Sequence, residues 1–107
     1  MARRKSYELV YDPEVRKHIS KIEQKYHALI RRQIRSQLMF EPETETRNRK
    51  PLLRPSVLGS AWELRFGPDN RFRVFYETDH ALNQVYILAV GMKIKDRLFV
   101  GGKEFDL

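Results

Sequence analysis

The chain has 107 residues, 41% hydrophobic and 33% charged, with a formal net charge of +7. This length supports one hydrophobic core but not two, so residues 1–107 are expected to form a single domain, and the apolar fraction excludes an extended disordered chain. Cysteine is absent, which removes disulfides, thiolate metal sites and thiol nucleophiles.

The basic start Met1–Lys5 runs into Glu8, Asp12 and Glu14 rather than an apolar signal region, and no run reaches the ~20 apolar residues of a membrane span. A cytoplasmic protein without membrane contact is the expectation. The charge is uneven: residues 1–54 hold 14 Lys and Arg against 7 Asp and Glu, and residues 55–107 hold 7 against 7. Such an excess attracts polyanions, either nucleic acid or an acidic protein, and it also serves solubility alone.

Ser6 to Tyr11, with Tyr7, Leu9 and Tyr11 on one side, predicts a first strand. Asp12-Pro13-Glu14 ends it and starts a helix, since Pro needs no N–H there and carboxylates face the unsatisfied amides. Val15, Ile19, Ile22 and Tyr26 share one helical stripe, and Ile30, Ile34 and Leu38 form a second. Two amphipathic helices joined near Tyr26-His27 follow, the second ending before Pro42. From Glu41 to Ser60 periodicity is lost, as Glu41, Glu43 and Glu45 give way to Arg47, Arg49, Lys50 and Arg54 among three prolines. A connection this long is either functional or held by its apolar residues Leu52, Leu53, Val57 and Leu58.

The remainder predicts strands. Trp62, Leu64 and Phe66 alternate with Glu63 and Arg65, Gly67-Pro68-Asp69-Asn70 is turn chemistry, and Phe72, Val74 and Tyr76 resume the alternation as a hairpin. Gln84 to Val90 is apolar on both parities, which predicts a central strand covered on both faces, and Leu98–Val100 is a last short edge strand.

Pairing the hairpin so that its apolar residues share a face puts Trp62 opposite Tyr76, Leu64 opposite Val74 and Phe66 opposite Phe72. Arg65 then meets Arg73. Like charges directly opposite are unfavourable, so an anion is expected between them. It is either a bound phosphate, which arginine suits, or Glu63, diagonal to Arg73, closing a surface ion cluster. On this register Arg73 leaves the core face, so its removal is expected to spare the fold. His18 and His80 read as surface residues, His18, His27 and His80 lack metal-ligand spacing, and Trp62 reads as a core anchor. No metal site, P-loop or dinucleotide loop is present.

The order strand, helix, helix, long loop and three strands, with Trp62-Glu63-Leu64-Arg65-Phe66, Phe72-Arg73-Val74-Phe75-Tyr76 and Ile87-Leu88-Ala89-Val90-Gly91, resembles the RelE/ParE toxin superfamily over nearly the whole chain. The resemblance implies an α+β fold in which an N-terminal strand and a two-helix hairpin accompany a small antiparallel sheet. The helices pack on one face, and the other is concave and basic.

It further implies a toxin of a type II toxin-antitoxin system, without cofactor, whose partners are an acidic antitoxin, the ribosome and messenger RNA. In RelE-like members the basic face holds messenger RNA on the ribosome, where the 2′-hydroxyl attacks the adjacent phosphate. By position, Arg65, Arg73 and Lys93 would stabilise phosphate charge and Glu63 would be an acid/base group. Lys50, Arg54, Lys95 and Arg97 would contact RNA. Glu63 stands where RelE itself has a second hairpin lysine, and Phe99 where it has a tyrosine, which leaves proton transfer to Glu63 or to ribosomal groups. Two alternatives share the resemblance: a ParE-like inhibitor of DNA gyrase, and an inactive member that binds only antitoxin.

Overall fold

The computed structural model describes residues 6–52 and 60–105. Leu53, Arg54, Val57 and Leu58 of the long connection lie outside the described residues, as does the basic start. The hairpin formed by β3 (Trp62–Phe66) and β4 (Phe72–Asp79) adopts the register that its alternation dictates: Trp62, Leu64 and Phe66 face Tyr76, Val74 and Phe72, and Arg65 faces Arg73. Its turn needs glycine at position 67, where φ is +86° and an added Cβ would sit 2.5 Å from the Phe72 ring. Asp69 and Asn70 follow in the left-handed region, with φ of 55° and 51°, a conformation their short polar side chains tolerate.

Around this hairpin the sheet runs in the antiparallel order β2-β3-β4-β5-β6-β7, with β1 joining β5 in parallel. Here β1 is Glu8–Tyr11, β2 Arg49–Pro51, β5 Gln84–Ile94, β6 Arg97–Val100 and β7 Lys103–Phe105. The expected last edge strand is β6, but it is not the edge: Gly101 and Gly102 turn the chain back into β7. The pattern-free connection likewise hides β2, whose Arg-Lys-Pro sequence carries no strand signal and is ordered by pairing with β3.

The two-parity apolar run of β5 has a specific cause. Tyr76 pairs with Ile87 but Phe75 pairs with Ala89, so Leu88 is an extra residue in a β-bulge. Val85 and Ile87 face the helices before the bulge, and Val90 and Met92 face them after it. Ala89 turns to the other face, where it joins Phe75, Leu98 and Val100 in a smaller apolar cluster.

The predicted first helix is cut short. α1 spans only Val15–Ser20, entered through Asp12, whose side chain accepts the Glu14 N–H at 2.9 Å. A turn and a 3₁₀ segment, Gln24–Tyr26, then lead into α2 (His27–Leu38). Ile22 is still buried although it is no longer helical, and His27 Nε2 lies 2.8 Å from the Ile22 carbonyl oxygen across the corner. In α2 the expected stripe of Ile30, Ile34 and Leu38 is fully buried against the sheet, and Trp62 packs at the margin of the same core, stacked on Tyr76. Neither helix is long and apolar enough to cross a membrane.

Two buried polar groups tie the connection after α2 to the sheet. Arg49, read from sequence as one of a basic run, has its guanidinium inside: Nε donates to the Thr44 carbonyl and Nη1 to the carbonyl of Gln37, at 2.9 and 2.6 Å. Tyr76 donates its hydroxyl to the Pro42 carbonyl at 2.6 Å, and burial pushes that hydroxyl well above its ordinary pKa, keeping it a donor.

His18 is not the free surface histidine expected. Along one edge of β5, residues 84–87 pair with β1 and residues 91–94 with β6. The Val90 N–H lies between these stretches and is taken by His18 Nδ1 at 3.3 Å. Burial lowers the His18 pKa, with Glu14 and Asp12 acting in the opposite sense, and a protonated ring has no lone pair for Val90. The neutral form therefore supports the fold. Above the unfolded pKa of about 6.5 both states are neutral; as pH falls from there toward the lower folded value, the unfolded chain gains a proton first and stability drops. Denaturant unfolding at pH 7.5 and 5.5 should show a larger loss for the wild type than for His18→Asn, which can still accept the Val90 N–H but does not titrate.

Candidate functional site

The face of the sheet turned away from the helices carries the hairpin's charged residues, and its geometry follows from the register. Glu63 is buried, only 4% exposed, and its Oε1 accepts from both arginines: Arg65 Nε at 2.5 Å and Arg73 Nη1 at 3.2 Å. Arg73 is also buried, and its Nε donates to the Asn70 carbonyl of the turn at 3.0 Å. The anion between the opposed arginines is thus the protein's own carboxylate.

The expectation that Arg73 could be removed without harm to the fold is overturned. It does leave the main core face, but on the outer face it is enclosed beside Phe75 and Gly91 and counterbalances a buried carboxylate. Burial pushes the guanidinium below its ordinary pKa; Glu63 opposes that shift and neighbouring Arg65 adds to it. Arg65 is different, with its side chain 38% exposed. Its backbone is clamped by Asn48, whose carbonyl accepts the Arg65 N–H and whose side-chain amide donates to the Arg65 carbonyl, each at 2.8 Å.

Lys93 comes to the same face. It pairs with Leu98, a member of the outer cluster, and lines a surface cavity together with Arg73. Between Lys93 and that cluster, Gly91 allows close approach: an added Cβ would meet the Phe99 carbonyl at 2.8 Å and Val100 Cγ2 at 2.9 Å. Lys50 lies directly opposite Glu63 but reaches Glu45, at 3.7 Å. Lys95 stands in the β5–β6 turn with φ of 57° and lines the cavity beside Lys93.

One expected RNA contact, Arg97, and Phe99, the residue that stands where RelE has a tyrosine, fall elsewhere. Arg97 pairs in register with Ile94, on the helix side of β5, and meets Glu104 at 3.4 Å. Phe99 is in register with Met92 and lies near His18 and Lys21, behind the sheet. Arg54 lies outside the described residues.

The outer face is also less uniformly basic than expected, since Phe75, Ala89, Leu98 and Val100, with Leu52 and Phe105 against them, occupy its centre. Arg71 was missed. It lines the cavity with Arg73 and precedes it by two residues, so the alternation in Arg71-Phe72-Arg73 was a usable signal. The buried Arg49 had no such signal, because its partners come from α2 and the connection after it. A surface cavity of about 790 Å³ opens between β1, α1 and α2 and contains none of the hairpin residues. Among the described residues no three or more His, Asp or Glu gather as a metal site.

No family model and no curated protein matches this sequence. Among solved structures, the chain is similar to a chain of the toxin-antitoxin complex RelBE2 from Mycobacterium tuberculosis. The two are 25% identical with a TM-score of 0.63, and the match covers 82% of this chain and 99% of the other. A likeness spanning almost all of that chain agrees with what the hairpin core and the helix pair already indicate: this chain resembles the RelE/ParE toxins and shares the fold of a chain of that toxin-antitoxin complex.

Proposed function

We propose that this protein is the toxin of a type II toxin-antitoxin system and that it cuts messenger RNA on the ribosome. The observation that carries the reading is the arginine pair held by one buried carboxylate, with Lys93 beside it on the open side of the sheet. The similar chain comes from a complex of toxin with antitoxin, which supports the assignment to such a system. Holding cations in place before substrate arrives is how a site stabilises the charge that builds on a phosphate under attack by a neighbouring 2′-hydroxyl.

In this arrangement the residues divide by exposure. Among the described residues Arg65 is engaged only through Nε, so its terminal nitrogens are open to a phosphate, and Lys93 is similarly accessible. Arg73 backs them from a buried position. Glu63 serves as a positioning residue: one oxygen holds both guanidinium groups, and its burial keeps it from the substrate. Proton transfer then falls to ribosomal groups or water, and the ribosome must also order the substrate.

A second reading, inhibition of gyrase without RNA cleavage, draws on the position of Phe99 and His18 behind the sheet and on the cavity beside Arg73 and Lys93, whose described lining holds no tyrosine or histidine proton donor. Expression of the chain alone should arrest growth, and coexpression of an acidic antitoxin covering the cationic face should relieve the arrest. Primer extension on a translated messenger should show cuts only with ribosomes present, while gyrase supercoiling proceeds normally. Intact messenger together with blocked supercoiling would overturn the nuclease reading.

The burial difference separates catalytic from structural cations. Lys93→Ala should lower the cleavage rate by a loss of about 2–4 kcal/mol in transition-state stabilisation, with thermal unfolding nearly unchanged. Arg73→Ala should instead cost about 3–5 kcal/mol of folding stability, because it strands Glu63 with half of its counter-charge. Paired thermal melts and cleavage assays of the two variants measure both effects.

A further inference from the structure

The cavity of about 790 Å³ between β1, α1 and α2 lies apart from the arginine pair and is cationic in its own right. Arg16 lines it from α1, and Arg31 and Arg35 from α2, the latter two four residues and about one helical turn apart. All three are exposed, and none of their guanidinium groups has an ion-pair or hydrogen-bond partner among the described residues. Asp12, the acid of the lining, is already engaged: one oxygen accepts the Glu14 N–H at 2.9 Å and the other the Tyr86 hydroxyl at 3.4 Å. Like charges at i, i+4 on a helix are unfavourable, and here a third guanidinium is added from the facing helix. An anion entering the cavity relieves that repulsion.

The remaining lining narrows the kind of anion. Val15, Ile19 and Ile34 supply aliphatic surface, and Tyr11, 43% exposed, supplies an aromatic ring. Burial raises the pKa of the Tyr11 hydroxyl, with Arg35 and then Arg31 acting against it, so at neutral pH the group is a donor close to both guanidinium groups. A cleft of roughly 300–1,000 Å³ with an apolar lining and a few charged groups suits a small molecule. Carboxylates on an acidic helix carry one charge each and are spread along its length. The phosphates of a nucleoside polyphosphate instead put several charges on adjacent groups, which arginine forks meet with paired hydrogen bonds, and its base has a face that stacks on tyrosine.

We propose that this cavity binds a nucleoside di- or triphosphate. Arg16, Arg31 and Arg35 hold the phosphates, and the base stacks on Tyr11 over the aliphatic lining. The site shares no residue with the arginine-pair face and does not depend on the ribonuclease reading.

Calorimetric titration of the full chain with ATP and with inorganic triphosphate tests it. ATP should bind in equal stoichiometry and about ten-fold more tightly than inorganic triphosphate, the difference being the stacked base. Tyr11→Leu should remove that difference, while Tyr11→Phe, which keeps the ring, should retain it. Arg31→Gln and Arg35→Gln should each weaken ATP by about ten-fold or more, the loss of a charged hydrogen bond, at an unchanged melting temperature. Lys93→Ala, on the outer face of the sheet, should bind ATP as the wild type does.

Absence of ATP binding would overturn the proposal, as would equal affinity for ATP and inorganic triphosphate. Binding that survives both arginine substitutions and is lost in Lys93→Ala would place the nucleotide on the outer face and overturn it too. A helical peptide of regularly spaced glutamates that binds through Arg31 and Arg35 where ATP does not would give the cavity to an acidic protein segment instead.

Discussion

Alternation in the β3–β4 hairpin allows Trp62, Leu64, Val74 and Tyr76 to enter the main core in only one register, and that register sets Arg65 against Arg73 on the other face. Two guanidinium groups directly opposed on adjacent strands repel, the more so where one of them is enclosed. Glu63 resolves the conflict from the same strand as Arg65, two residues before it, where the pleat returns its side chain to the same face. The core on one side and the ion cluster on the other are therefore two results of a single pairing. Changing either disturbs both.

The bulge in β5 is a second constraint with distant effects. By inserting Leu88 it switches which parity faces the helices, so that Ile87 and Val90 both reach the main core and Ala89 is delivered to the outer cluster. The edge of the same strand is shared by β1 and β6 at its two ends. A backbone donor between two partner strands needs an acceptor, and α1 supplies one through His18. A short helix with one buried apolar residue thus completes the edge of the central strand.

Burial also sorts the cations of the outer face into different kinds. Arg73, enclosed and bonded to Glu63 and Asn70, behaves as part of the scaffold, while Arg65 and Lys93 keep access to solvent. A cation of the first kind sets geometry and a cation of the second can meet a ligand. On the proposed function, the proximity of scaffold and solvent-facing cations would preorganise a phosphate site, because the charges stay in place without reorganising around a substrate.

Pattern and turn chemistry were enough to determine the hairpin register, the stripe of α2, the helix start at Asp12, the core place of Trp62 and the opposition of the two arginines, since each depends on residues close in the chain. The same local reading extended the first helix past Ser20, because Ile22 and Tyr26 continue its stripe; only packing against the sheet shows that Ile22 stays buried after the helix has ended. It also missed β2 and β7, whose partners rather than their own residues make them strands. Which arginines are inside was decided by tertiary structure alone: Arg49 is enclosed by carbonyls that arrive from α2 and the following connection, and Arg73 by neighbours on two strands. Periodicity assigns a side chain to a face, but whether that face is covered depends on segments distant in sequence, and for a charged group the covering decides whether it holds the fold or meets a ligand.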